Sequence, residues 1–82
     1  SNQFKKDVEK AEKRKKDLAK LKDTMQLLID NEPLPVKLKD HPLFGNWKGY
    51  RDLHIEPDWV LIYKINNTNL RFERTGTHSD LF

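Results

Sequence analysis

The 82-residue chain has no cysteine. That excludes a disulfide framework and thiolate chemistry, and it suits a reducing cytosol. Long apolar runs are also missing: nothing approaches the roughly 20 consecutive apolar residues of a membrane-spanning helix. The N-terminus is polar and charged, unlike a secretory signal, so the expected location is cytoplasmic. Only three glycines and four prolines occur, and none falls between residues 3 and 30. Nothing in that segment forbids helix. No repeat or low-complexity stretch is present.

What the chain does have is charge. Sixteen Lys and Arg oppose thirteen Asp and Glu, for a net +3. The bases concentrate between Lys5 and Lys22. A basic surface suits nucleic acid or an acidic protein partner, while the plain alternative is a solvated helix face. At this length one domain over 1–82 is expected, burying only about 60% of its unfolded surface.

Apolar residues at Phe4, Val8, Ala11, Leu18, Leu21, Met25 and Leu28 follow helical spacing. One straight helix of about 27 residues would be roughly 40 Å long, longer than the ~30 Å width of so small a domain. The pattern lapses at Arg14-Lys15-Lys16-Asp17, and Asp17 can cap a second helix. The segment 1–30 is therefore predicted to be a helical hairpin. Asn31-Glu32-Pro33-Leu34-Pro35 ends it, and residues 36–46 read as an irregular connection.

A sheet is expected over 47–75. Residues 47–55 alternate, with Arg51, Leu53 and Ile55 on one face and Tyr50, Asp52 and His54 on the other. Residues 59–65 are apolar on both faces and read as the central strand. Asn66-Asn67-Thr68-Asn69 is a hairpin loop, and 70–75 is the last strand. Pairing Ile65 with Leu70 puts Tyr63 opposite Phe72 and Leu61 opposite Arg74. The predicted core face is Leu61, Tyr63, Ile65, Leu70 and Phe72, with Arg74 at its rim. Gly76 ends the strand, and 76–82 form a tail. The fold class is α+β, a helical hairpin packed on a small antiparallel sheet.

The chemistry gathers around Leu53-His54-Ile55-Glu56-Pro57-Asp58-Trp59. An imidazole, two carboxylates and an indole lie within seven residues. Trp47, Lys48, Tyr50 and Arg51 precede them; Arg71, Arg74 and His78 follow. All three histidines, His41, His54 and His78, lie in the second half. Imidazoles exchange protons near neutral pH, guanidinium groups clamp phosphate, and aromatic faces hold unstacked bases. These are the parts for cutting RNA without a metal. The plainer readings stand beside them. His54 and Asp58 would stabilise the turn at Pro57, Trp59 would be core or rim, and Arg74 would pair with Glu73 or Asp58. A zinc site from the three histidines and Asp58 would have suitable ligands. Its spacings of 13 and 24 residues match no compact metal motif, so no metal or other cofactor is expected.

At these residues the chain resembles a known family. Asp40-His41-Pro42-Leu43, Trp47-Lys48-Gly49-Tyr50-Arg51-Asp52, His54, Glu56-Pro57-Asp58-Trp59, Leu61-Ile62-Tyr63-Lys64 and Leu70-Arg71-Phe72-Glu73-Arg74-Thr75-Gly76-Thr77-His78 are similar to YafQ-type toxins. These belong to the RelE superfamily of bacterial type II toxin–antitoxin systems. The match runs in order over 40–82 and extends more weakly over Phe4–Leu28. It implies a toxin that enters the ribosomal A site and cuts mRNA, is neutralised by a cognate antitoxin, and binds operator DNA with it. The family's site positions carry over as His41, His54, Asp58, Trp59, Arg74, His78 and Phe82.

On that resemblance Asp58 or His54 is the expected general base and His78 the leading general acid. Arg74 would stabilise the phosphorane, and His41 would assist proton transfer or contact phosphate. Trp59 and Phe82 would shape the site or stack on mRNA, beside Lys48, Arg51 and Arg71. Lys10, Lys13, Arg14, Lys15 and Lys16 would contact ribosomal RNA. Family members also carry a β-strand just before the stretch matching Ser1-Asn2-Gln3-Phe4, and these 82 residues contain no counterpart to it. The competing functions are a gyrase-inhibiting toxin of the same superfamily, against which the histidines argue, and a non-catalytic module that binds nucleic acid or a partner through its basic face.

Overall fold

A computed structural model describes residues 2–67 and 69–82. Ser1 of the stretch Ser1-Asn2-Gln3-Phe4 and Thr68 of the expected hairpin loop lie outside the described residues. The hairpin forms as helices α1 (Asn2–Lys13) and α2 (Leu18–Ile29). The break falls where the apolar spacing lapses. Lys15 takes a left-handed conformation at φ 61. The Lys16 N–H reaches back to Ala11 O at 3.0 Å and the Lys15 N–H to Glu12 O at 2.9 Å. This is a Schellman stop made without glycine. Asp17 then caps α2 by accepting the Ala19 N–H at 3.0 Å. A second Schellman stop closes α2, with Asn31 left-handed and the Glu32 N–H on Leu27 O at 2.9 Å. The molecule measures 34 × 27 × 24 Å, too short for the ~40 Å of an unbroken helix.

Residues 36–46 carry more order than the sequence suggests. Val36–Leu38 is a 3₁₀ turn that drops Leu38 into the core. His41–Pro42 forms a two-residue edge strand, β1, opposite Asp52 and Arg51. A proline is tolerated there because an edge strand need not donate outward. A 3₁₀ turn at Gly45–Trp47 follows, with positive φ at Gly45 and Gly49. Those two glycines delay the next strand, which starts at Arg51 rather than at residue 47.

Strands β2 (Arg51–Glu56), β3 (Trp59–Ile65) and β4 (Leu70–Gly76) complete an antiparallel sheet in the order β1-β2-β3-β4. Ile65 pairs with Leu70 and Tyr63 with Phe72, as expected. Leu61, however, faces Thr75, and Arg74 faces Ile62. Glu73 is an extra residue at a β-bulge, so the register slips there and Arg74 changes face. Ile65 is half-exposed at the strand's end and does not join the core.

β3 separates two apolar clusters. On the helix side Leu53, Trp59, Leu61 and Tyr63 pack against Ala11, Leu21 and Leu28, with Leu38 alongside. On the other side Val60 and Ile62 pack against Leu81, flanked by Leu43, Trp47 and Tyr50. Leu81 belongs to a four-residue helix, α3 (His78–Leu81), where the sequence reads only as a tail. So short a helix is not stable alone. It persists because Leu81 is buried and because Thr77 and Asp80 close a capping box.

Candidate active site

The side of the sheet away from α2 collects the histidines. His54 pairs with Val60 and Asp52 with Ile62, and directly paired residues share a face. β1 adds His41 next to Asp52. α3 returns over the same face through Leu81 and brings His78. The ring centroids of His54 and His78 are 5.2 Å apart, and those of His41 and His54 are 6.4 Å apart.

His78 is held by Asp58. The Asp58 Oδ1 atom accepts the His78 backbone N–H at 2.9 Å and lies 2.6 Å from Nδ1. First the backbone N–H and then the imidazole hold the Asp58 carboxyl below its usual range. A carboxylate in that position orients a ring more readily than it takes a proton. The Nδ1 hydrogen goes to Asp58, so Nε2 is the nitrogen that faces outward.

His41 is held at both nitrogens. Nδ1 lies 2.7 Å from Lys39 O and Nε2 lies 3.0 Å from Asp52 Oδ1. The carbonyl only accepts, so Nδ1 carries its hydrogen. The Asp52 contact is an ion-pair distance without hydrogen-bond alignment, since Asp52 Oδ1 has no aligned donor. Asp52 is buried, and burial pushes its carboxyl up against the pull of His41, His54 and His78. Asp52 thus underlies the histidine row, a role the sequence reading did not give it. The available signal was its place two residues before His54, on the same face.

An aromatic flank continues from His78. Phe82 lies 6.3 Å from the His78 ring and 6.5 Å from Trp47, and Trp47 packs edge-on against Tyr50 at 5.4 Å. Phe82 is 59% exposed, so a face is free for a base. Trp59 is different. It is 1% exposed, donates its indole N–H to Thr75 Oγ1 at 3.0 Å, and has the Lys16 ammonium over its ring. It belongs to the helix-side core, on the face opposite the histidines, and offers no stacking surface.

The cations divide. Arg74 points to Asp7 of α1, with Nε 2.7 Å from Oδ2. Arg51 shares the helix-side face with Tyr63 and is bound to Asp40, which also accepts the Tyr63 hydroxyl. It is not brought to the histidines. Arg71 pairs with Glu73 at 2.7 Å on the outer part of β4. Lys48 is exposed after the Gly45–Trp47 turn. Lys10 and Arg14 both grip Asp80, at 3.2 and 2.7 Å. Lys16 and Lys20 grip Glu56. Lys13 and Lys15 are exposed. Among the described residues no group of three or more His, Cys, Asp or Glu converges as metal ligands would. A cleft of about 650 Å³ opens beside His54, lined in part by Lys20, Leu27, Lys37, Leu38 and Lys39.

The family profile described as a bacterial toxin of type II toxin–antitoxin system, YafQ, matches residues 1–82. The chain belongs to the YafQ family of toxins. It is 64% identical to the mRNA interferase toxin YafQ of Escherichia coli, over 100% of this chain and 90% of that one. It superposes on the crystal structure of E. coli YafQ with a TM-score of 0.98, at 63% identity, covering 100% of this chain and 92% of that one. YafQ within the E. coli DinJ–YafQ toxin–antitoxin complex matches with a TM-score of 0.94 at 64% identity, over 100% and 91%. The helical hairpin on an antiparallel sheet is therefore the YafQ fold.

Proposed function

We propose that this YafQ-family toxin is a single-domain endoribonuclease that cuts mRNA on the ribosome by metal-independent acid–base catalysis. The observation that carries the reading is the pair of imidazoles at 5.2 Å, one of them oriented by Asp58. The relative's name, mRNA interferase, supports the substrate class.

In this reading His54 removes the proton of a ribose 2′-OH. The freed oxygen attacks the adjacent phosphorus, and the bond to the 5′-oxygen breaks. His78, oriented by Asp58, gives its Nε2 proton to that leaving oxygen. The products are a 2′,3′-cyclic phosphate and a 5′-hydroxyl. Asp58 is taken as the positioner of His78 rather than the base, because its Oδ1 holds both the backbone N–H and the Nδ1 of His78. His41 touches the phosphate, Arg74 stabilises the charge of the phosphorane, and Phe82 stacks on the mRNA. Lys48 adds a positive contact at the rim.

The exposed Lys13 and Lys15, with Lys10, Arg14 and Lys16 behind them, contact ribosomal RNA without sequence preference and with strong salt dependence. A cognate antitoxin neutralises the toxin, as the DinJ–YafQ complex suggests, and the pair binds operator DNA. Ribosome and mRNA place this activity in the cytoplasm. Sequencing mRNA ends in cells expressing the protein tests the reading. Discrete cuts within codons are expected; intact mRNA with stalled replication would mean a gyrase inhibitor, and intact mRNA with normal replication a binding module. If His78→Gln keeps wild-type cleavage on ribosomes, the acid assignment fails.

A further inference from the structure

Asp7 has no part in the chemistry above, yet it is one of the few charged residues in the interior, at 7% exposure. Its carboxylate takes four donors. Oδ2 accepts Arg74 Nε at 2.7 Å and the Thr75 backbone N–H at 3.1 Å. Oδ1 accepts Gln3 Nε2 at 3.0 Å and an Arg74 terminal nitrogen at 3.3 Å. One carboxylate therefore ties α1 to both the backbone of β4 and the arginine beside it.

The geometry of the guanidinium makes this more than an anchor. Its five N–H bonds lie in one plane and present more than one edge for bidentate pairing. Asp7 occupies the edge made by Nε and one terminal nitrogen. Among the described residues, the edge between the two terminal nitrogens makes no hydrogen bond. Arg74 keeps 25% of its side chain exposed, so the guanidinium is not fully enclosed by its pairing with Asp7. Arg74 also lies in the ladder row Asp52–Ile62–Arg74, next to the row His54–Val60–Gly76. The bulge at Glu73 sets it there.

We propose that Asp7 is a positioning residue that grips Arg74 by one edge so that the opposite edge meets the scissile phosphate. The proposal rests on the reading of Arg74 as the phosphorane-stabilising cation. Fixing the guanidinium before substrate arrives makes its charge available without reorganisation during the reaction. A lysine at 74 would keep the pairing with Asp7 and lose the second edge.

The test is cleavage of mRNA on programmed ribosomes by the full chain. Asp7→Asn, Asp7→Glu, Arg74→Met and the Asp7→Asn/Arg74→Met double variant are compared, each well below its own melting temperature. Asp7→Asn replaces an acceptor by an amide donor facing the guanidinium. It is expected to lower kcat about 100-fold, the scale of a misplaced reacting group, with KM within about twofold. Asp7→Glu keeps the charge and shifts the grip by one methylene; it is expected to fold and still lose about 10-fold in kcat. The double variant is expected to be no slower than Arg74→Met alone. Wild-type kcat in folded Asp7→Glu, or additive losses in the double variant, overturns the positioning role while leaving Arg74 in place. Wild-type kcat in Arg74→Met instead overturns the reading of Arg74 itself.

Discussion

Asp58 Oδ1 lies 2.6 Å from His78 Nδ1 and also accepts the backbone N–H of the same residue at 2.9 Å. A single oxygen thus sets both the position of the residue and the tautomer of its ring. Asp58→Asn either keeps its oxygen there without the negative charge that holds the ring, or flips its amide and loses both bonds to His78. We expect kcat to fall by about 100-fold, smaller than in buried triads because this pair is exposed. Single-turnover cleavage with unchanged melting temperature checks it.

Asp80 provides a pH test. Its carboxyl is held far below its usual range, chiefly by Arg14, then by the Thr77 backbone N–H, with Lys10 adding to it. A carboxyl depressed in the folded state stabilises the fold above its unfolded pKa of about 3.9 and loses that contribution as pH falls through the folded value. The gap in melting temperature between wild type and Asp80→Asn should be full at pH 6 and shrink steadily on acidification below about pH 4. A gap that stays constant down to pH 2 would contradict the assignment.

Gly76 is needed for space, not for backbone freedom. A Cβ there would lie 2.9 Å from Asp80 Oδ2 and 3.1 Å from Asp80 Cβ. Asp80 is pinned by Arg14, Lys10 and Thr77 and cannot step aside. Gly76→Ala should cost about 1–3 kcal/mol by overpacking, or about 4–8 °C per kcal/mol in a domain of this size. Asp80→Ala removes the clashing carboxylate along with its own stabilising bonds, so the further cost of Gly76→Ala should be smaller in the Asp80→Ala background. Calorimetry of the two singles and the double gives the cycle.

The basic residues of the hairpin should separate by function. Lys10 and Arg14 are engaged with Asp80, whereas Lys13 and Lys15 are exposed. Neutralising Lys13 and Lys15 should weaken ribosome binding severalfold, flatten its salt dependence by about one phosphate contact per residue, and leave the melting temperature unchanged. Neutralising Arg14 should lower the melting temperature as well. Sedimentation with ribosomes at two salt concentrations distinguishes them.

Leu53 tests the helix-side core. It is fully buried on β2 in the cluster that includes Leu21 and Leu28 of α2. Leu53→Ala should cost about 2–5 kcal/mol; a smaller shift in chemical denaturation would mean that the cavity collapses.

Much of this protein was written locally. The lapse in apolar spacing before Asp17 placed the break between the helices, because a helix face must stay in register with its core. The unbroken apolar run from Trp59 to Tyr63 marked the strand buried on both sides. Alternation around His54 put it on the face opposite Leu53. What local pattern could not show was where distant segments meet. One extra residue, Glu73, shifts the β4 register, so Arg74 faces Ile62 rather than Leu61, and no period-two reading detects a bulge in advance. Asp7 and Arg74 are 67 residues apart, and Arg14 and Asp80 are 66 apart; such ion pairs leave no spacing to read. The tail became a helix only because the sheet buries Leu81 and α1 holds Asp80. The sequence by itself determined the two long helices and the three long strands and supplied the imidazoles and carboxylates, since propensity, periodicity and side-chain chemistry are local. Only the tertiary structure decided that Asp58 serves His78, that Asp52 lies beneath His41, and that Trp59 turns inward, because packing and charge pairing act through space rather than along the chain.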